Sequence, residues 1–116
     1  MNILSILFSK KEDLNNLDSV AFEKLICEDK KAVLLDVRTQ QENSQVRIPK
    51  SFLIDFYKPN FIQAIQKLEK SKTYLLYCHS GRRSYSAYRQ MQQLGFKNVY
   101  NLKKGISGWQ GKVERG

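Results

Sequence analysis

The sequence contains few of the residues that metal sites and disulfide frameworks require. It has two cysteines and one histidine among 116 residues, and no C-x-x-C pair or second pair of ligands accompanies them. We therefore expect no metal site, and we expect both thiols to be free in a reducing compartment. Cys27 lies in a helical pattern without reactive surroundings, which predicts a packed thiol and not a resolving cysteine.

Long hydrophobic runs are also missing. The apolar segment Met1–Phe8 is too short to span a bilayer, and charged residues from Lys10 onward follow it. The segment also lacks the charged start, the longer apolar run and the cleavage site of a secretory signal. We expect residues 1–13 to be a packed or loosely ordered N-terminal extension, with weak contact to a membrane surface or a partner as the alternative. The expected location is cytoplasmic.

Glycine, proline and acidic residues are scarce. Six glycines and two prolines, without repeats or low-complexity tracts, indicate a single domain over residues 1–116. The 20 basic residues outnumber the 11 acidic ones and leave a net charge of +9. Such a surface attracts anions, so small anionic substrates or acidic protein partners are expected. No nucleic-acid-binding motif is present, and we expect no specific nucleic acid as partner.

Short apolar runs alternate with helical patterns along the chain. The runs predict strands at residues 32–35, 52–54, 73–77 and 98–102. Helices are predicted from Asp18 to about residue 31, after a Thr39–Glu42 capping box, from a first turn at Pro59, and over residues 82–94. The apolar stripes of the first and third helices are Val20, Phe22, Leu25 and Ile26, and Phe61, Ile62, Ile65 and Leu68. This alternation is typical of an α/β fold with a mostly parallel central sheet and helices on both faces.

Cys78 ends the strand predicted at residues 73–77 and opens a loop that leads into the next helix. Ligands of parallel α/β sheets bind where strands end in this way. A cysteine reacts as the thiolate, and the pKa of a thiol falls near helix N-termini and cations. The first turn of the helix offers unpaired N–H groups, and glycine allows backbone angles that let such groups converge on an anion. The pattern predicts an anionic sulfur, a thiolate or a persulfide, held by the segment His79, Ser80, Gly81, Arg82, Arg83 and Ser84.

Cys78 and His79 each have a second interpretation. Cys78 would also fit as a small buried hydrophobe at a strand end, although the glycine and the two arginines favour a reactive thiol. His79, the only histidine, would fit as a proton shuttle near neutral pH. Persulfide chemistry needs no general base, so we expect His79 to point to solvent.

Four segments in order resemble the rhodanese homology domain, and the likeness covers most of the chain. Leu34-Leu35-Asp36-Val37-Arg38 with Glu42 is similar to the family's first signature, and Ile48-Pro49 resembles the second. Tyr77 to Ser84 resembles an active-site loop of the C-x-x-G-x-R form. Val99 to Gly105, with Gly108-Trp109, resembles the closing signature.

The resemblance implies a sulfurtransferase without metal or organic cofactor. Cys78 would carry the persulfide, the loop from His79 to Arg83 would surround it, and Arg83 occupies the family's arginine position. Asp36 and Arg38 would support the fold near the site through ion pairs. The donor would be thiosulfate or a protein persulfide, the acceptor a thiol or a cyanide-like nucleophile. A monomer is the expectation from length alone.

Two departures and two rival functions stand beside this interpretation. Val46 to Ser51 replaces the usual Gly-His-Ile-Pro-Gly-Ala, and Lys104-Gly105 replaces paired glycines. Arg47 and Lys50 are expected to alter the charge around the entrance of the site and with it the substrate preference. A cysteine-dependent phosphatase or arsenate reductase would use a C-x5-R loop, whereas Arg83 closes a C-x4-R loop. A non-catalytic rhodanese-like binding module would be expected to lack the cysteine, and Cys78 is present.

Overall fold

The structure is a computed structural model that describes residues 13–116. The segment Met1–Phe8, and all of the predicted N-terminal extension except Asp13, lie outside the described residues. No helix among residues 13–116 is long and apolar enough to cross a membrane.

Five parallel strands form the central sheet, in the order β1-β6-β5-β2-β4. The middle strands are also the most apolar, as expected for strands covered on both faces. A separate antiparallel pair joins β3 to β7. The strands are β1 Asn16–Leu17, β2 Val33–Asp36, β3 Val46–Arg47, β4 Phe52–Leu53, β5 Thr73–Tyr77, β6 Asn98–Leu102 and β7 Glu114–Arg115.

Helices cover both faces of the sheet. They are α1 Ser19–Glu28, α2 Gln40–Gln45, α3 Phe61–Gln66 and α4 Arg82–Gln93, followed by a 3-10 helix at Ile106–Gly108. Successive side chains of a strand point to opposite faces. One face of β2 and β5 therefore packs against α3 and α4, while the other face packs against Phe22 of α1. The predicted α/β architecture is confirmed.

Three local predictions were wrong. Val20 is 70% exposed and Cys27 is exposed, so neither packs in the core. Phe22, Leu25 and Ile26 of α1 face the sheet, and at 3.6 residues per turn Val20 and Cys27 both fall about 140–160° away from the middle of that stripe. Pro59 precedes the N-cap Asn60 and so lies outside α3.

A buried carboxylate ties the carboxyl ends of β2 and β5 to their surroundings. Asp36 is fully buried and receives both Nε and Nη2 of Arg38, at 2.9 and 2.8 Å. Asn43 of α2 and the hydroxyl of Tyr77 donate to Oδ2, the oxygen that also accepts from Nη2 of Arg38, at 2.9 and 3.1 Å. Arg38 also donates to the carbonyl of Val46, at 2.6 Å. Every charge in this cluster is therefore compensated.

The pKa shifts of Arg38 and Tyr77 keep both side chains in the protonation states that these hydrogen bonds require. Burial lowers the pKa of Arg38. The hydrogen bond to Asp36 and the charge of Asp36 together raise it by more, so that the pKa lies above its ordinary value. Burial and the charge of Asp36 raise the pKa of Tyr77 to about 12. Its hydroxyl therefore stays protonated and donates to the carboxylate.

Replacing Arg38 by alanine is expected to destabilise the protein by about 3–5 kcal/mol, because the buried carboxylate of Asp36 loses its charged partner. Arg47→Ala is the matched control. Arg47 pairs with Glu114 at 3.4 Å on a partly exposed surface, and its loss should cost less than about 1 kcal/mol. Urea denaturation measures both values, and equal losses would contradict the role given to burial.

Candidate active site

The sulfur of Cys78 lies under the loop that joins β5 to α4. Cys78 is fully buried, whereas His79 and Ser80 are exposed. The N–H of Gly81 donates to Sγ at 3.1 Å, and the hydroxyl of Ser84 lies 3.3 Å from Sγ. The first turn of α4 thus wraps around the thiol, where the helix dipole stabilises negative charge.

Gly81 makes this wrapping possible. It is the N-cap of α4 and has φ of +94°, a left-handed conformation that residues with a Cβ rarely adopt. A Cβ at this position would also collide with the backbone carbonyl of Lys103. The loop can therefore turn its N–H onto the sulfur and pack against the end of β6 only with glycine here.

Arg83 turns to Glu42 and makes no hydrogen bond to the sulfur. Its two terminal nitrogens reach the two carboxylate oxygens of Glu42, each at 2.8 Å. The guanidinium also lies 5.3 Å from the ring centre of Tyr57. Glu42 is held in turn by the capping box with Thr39 at the start of α2. The arginine at the family position is therefore fixed in place by α2.

This pairing shifts both pKa values in the direction that keeps the charges. The hydrogen bonds from Arg83 are the largest cause that lowers the pKa of Glu42, from 4.5 to about 2. The same bonds are the largest cause that raises the pKa of Arg83, and the charges of Glu42 and Cys78 add to the effect. Arg83 thus remains a cation beside the thiol, but one that a carboxylate largely compensates.

Comparison with known proteins identifies the family of this chain. A family model described as a rhodanese-like domain matches residues 20–112. The chain belongs to the rhodanese-like domain family. Over 96 residues it is 29% identical to a sulfurtransferase of Allochromatium vinosum, which covers 83% of this chain and 88% of the relative.

Two further similarities show how widely this rhodanese-like domain is shared. The chain is 32% identical over 110 residues to the tRNA uridine(34) hydroxylase of Pelagibacter ubique, which covers 94% of this chain and only 36% of that longer protein. The crystal structure of a rhodanese-related protein from Thermoplasma volcanium matches with a TM-score of 0.75 and 26% identity, covering 86% of this chain and 97% of that one.

The rhodanese-like loop brings together only part of the predicted site. Gly81 and Ser84 contact the sulfur of Cys78. His79, Ser80 and Arg82 are exposed. Asp36 and Arg38, expected to support the fold, form the buried pair at the end of the neighbouring strand. Within residues 13–116 no three histidine, cysteine or acidic side chains are grouped closely enough to hold a metal ion.

Sequence reasoning missed two neighbours of the loop. Glu42 was recognised as a capping residue and part of a signature, but not as the partner of Arg83, 41 positions away. Asn101, which donates to the carbonyl of Gly81 at 3.3 Å, was placed in a strand and in the closing signature, but not beside the loop. A polar side chain between Tyr100 and Leu102 in a predicted strand was the available signal, because buried polar groups need partners.

The Glu42–Arg83 pair should give stability a specific pH dependence. Glu42→Gln is expected to destabilise the protein by about 1 kcal/mol at neutral pH, a small value because the pair is partly exposed. The folded-state pKa of about 2 lies below the ordinary 4.5. The contribution is therefore fully present above the unfolded pKa and is lost as the pH falls toward 2.

Chemical denaturation of the wild type and Glu42→Gln at a series of pH values measures this difference. Glu28→Gln is the control, since Glu28 forms only an exposed pair with Lys24 at 3.9 Å. A difference for Glu42→Gln that persists unchanged at pH about 2 would show that the ion pair is not its source.

Proposed function

We propose that this protein is a sulfurtransferase in which Cys78 carries a sulfur atom as a persulfide between an anionic donor and a thiophilic acceptor. The observation that carries the proposal is the N–H of Gly81, 3.1 Å from Sγ at the start of α4. Sulfurtransferases occur among the relatives of the chain. Membership of the rhodanese-like family adds support.

The proposed reaction balances in two steps. The thiolate of Cys78 attacks the outer sulfur of thiosulfate, a new S–S bond forms, and sulfite leaves with the electron pair of the broken bond. An acceptor such as a thiolate or cyanide then attacks the outer sulfur of the persulfide. The electron pair of that S–S bond returns to Cys78 as thiolate. Negative charge stays on sulfur throughout, which is the charge that the helix N-terminus favours.

The position of the sulfur limits what can react with it. Because Cys78 is fully buried, a donor must displace neighbouring side chains or present its sulfur on a narrow group. Thiosulfate and a persulfide at the end of a cysteine side chain both satisfy this requirement. The net charge of +9 attracts such anions to the surface. The compensation of Arg83 by Glu42 argues against a site that needs a free arginine.

The same pairing weighs against a phosphatase or arsenate reductase. Those reactions place a tetrahedral dianion against the loop, and an arginine fork is the side chain that recognises such an anion with two parallel hydrogen bonds. Here both terminal nitrogens of Arg83 are already occupied by Glu42. A binding module without catalysis would not need the contact of Gly81 with a buried thiol.

Incubation with thiosulfate is expected to add one sulfur atom to Cys78, as measured by intact-protein mass spectrometry. Because Cys27 is exposed and free, the experiment uses Cys27→Ser, which should gain the same mass, and Cys27→Ser with Cys78→Ser, which should gain none. Thiosulfate, a polysulfide and a protein persulfide are compared side by side. Absence of the added mass with every donor would refute the proposal.

Hydrolysis of p-nitrophenyl phosphate distinguishes a sulfurtransferase from a cysteine-dependent phosphatase. The wild type is expected to show no turnover above that of Cys78→Ser, because Arg83 is not available to the phosphate. Turnover that disappears in Cys78→Ser would instead identify a phosphatase. Partner capture that needs no donor and survives Cys78→Ser, together with no added sulfur, would identify a binding module.

A further inference from the structure

The carbonyl groups of the active-site loop are held from outside the loop. The carbonyl of Cys78 accepts from the N–H of Ile106 at 2.9 Å, and that of His79 accepts from the N–H of Ser107 at 3.0 Å. Both donors belong to the 3-10 helix that follows β6. Successive peptide groups of the loop are therefore anchored to one short segment near the end of the chain.

A third carbonyl, that of Gly81, is anchored by a side chain. It accepts from the N–H of Tyr85 at 3.0 Å and from Nδ2 of Asn101 at 3.3 Å. Asn101 is fully buried in β6, and its Nδ2 also donates to Asn16 of β1 at 2.9 Å. Its Oδ1 is buried without a hydrogen-bond partner. A carbonyl oxygen only accepts, so Nδ2 and not Oδ1 must face Gly81.

The anchored carbonyls determine where the N–H groups point. Among residues 13–116 every peptide bond is trans, and in a trans peptide the N–H points opposite to the C=O. Holding the carbonyls of Cys78, His79 and Gly81 from outside therefore turns the N–H groups of His79, Ser80 and Arg82 to the other side. The N–H of Gly81, between them, donates to the sulfur.

We infer that Asn101 is a positioning residue for the reactive sulfur. It holds the carbonyl of Gly81, while Ser107 of the 3-10 helix holds that of His79. The peptide groups on both sides of the Gly81 N–H that donates to the sulfur are thereby fixed. The effect of Asn101 on the protonation of the thiol is inferred from the geometry alone, whereas its effect on sulfur transfer rests on the proposed function. The unpartnered Oδ1 fits this role, because an apolar residue in β6 would avoid a buried acceptor but would supply no donor to Gly81.

Asn101→Ala in a Cys27→Ser background tests the inference, with Asn16→Ala as the matched control. Asn16→Ala removes the other hydrogen bond of Asn101 but leaves the one to Gly81. The main readout is the pH at which alkylation of Cys78 by iodoacetamide is half maximal. That midpoint reports the protonation of the thiol independently of how easily the reagent reaches it.

Asn101→Ala should move the midpoint to higher pH, and Asn16→Ala should leave it unchanged. If thiosulfate is a donor, kcat/KM for sulfur transfer should fall about tenfold in Asn101→Ala and much less in Asn16→Ala. Thermal melting shows whether both variants are folded. An unchanged midpoint in folded Asn101→Ala, or an equal shift in Asn16→Ala, would overturn the inference.

A second pair of variants covers the case in which Asn101→Ala does not fold. Ser107→Pro removes the N–H that holds the carbonyl of His79, at the exposed second position of the 3-10 helix. Ser107→Ala retains this N–H. A larger upward shift of the midpoint in Ser107→Pro is expected, and equal midpoints would overturn the inference.

Failure of the proposed function would look different. If no donor transfers sulfur to the wild type but the midpoint still rises in Asn101→Ala, then the loop is positioned as inferred and serves another reaction. If sulfur is transferred but Asn101→Ala changes neither the midpoint nor kcat/KM, then the proposed function is supported and the positioning role of Asn101 is refuted.

Discussion

The carboxylate of Asp36 is completely buried, and its oxygens accept hydrogen bonds from β5, from α2 and from Arg38. A buried charge is tolerated only when it is paired and fully hydrogen-bonded. The neighbours that satisfy Asp36 are consequently fixed relative to one another. One of them, Tyr77, directly precedes Cys78, and another, Asn43, directly follows Glu42. The requirement to compensate one carboxylate thus sets the relative placement of the thiol and of the residue that holds Arg83.

The loop from Cys78 to Ser84 is constrained from two sides. On the inside, the N–H of Gly81 and the hydroxyl of Ser84 contact the sulfur. On the outside, β6 and the 3-10 helix hold the carbonyls, and the carbonyl of Lys103 leaves no room for a Cβ on Gly81. Donors that are fixed before an anion forms need not reorganise when it does, which is the physical basis of electrostatic preorganisation.

The charge around the sulfur is more nearly balanced than the composition suggests. The chain carries a net charge of +9, but Arg83, at the family's arginine position, is paired with the carboxylate of Glu42 at two contacts. Stabilisation of an anionic sulfur therefore falls mainly to backbone dipoles. Such a site suits a singly charged persulfide, whereas a phosphate dianion would demand the arginine as well.

The sequence by itself determined the features that depend on neighbouring positions. The apolar runs and helical spacings identified four of the five strands of the parallel sheet, β2, β4, β5 and β6, and the order of the helices. The Thr39–Glu42 spacing identified the cap of α2. The loop after β5, with its cysteine and glycine, was recognisable because residues 78–84 are contiguous. Even so, the apolar stripe was extended to Val20, and Cys27 was expected to pack, although both lie on the outer side of α1.

Only the tertiary structure decided which distant groups complete the site. Arg83 contacts Glu42, 41 positions away, and Asn101 contacts the carbonyl of Gly81, 20 positions away. Parallel strands joined by crossovers bring such remote segments together at the carboxyl ends of the strands. Residue type limits what each group is able to donate or accept. The partner it meets depends on the packing of β6, α2 and the 3-10 helix around the loop, which no local pattern encodes.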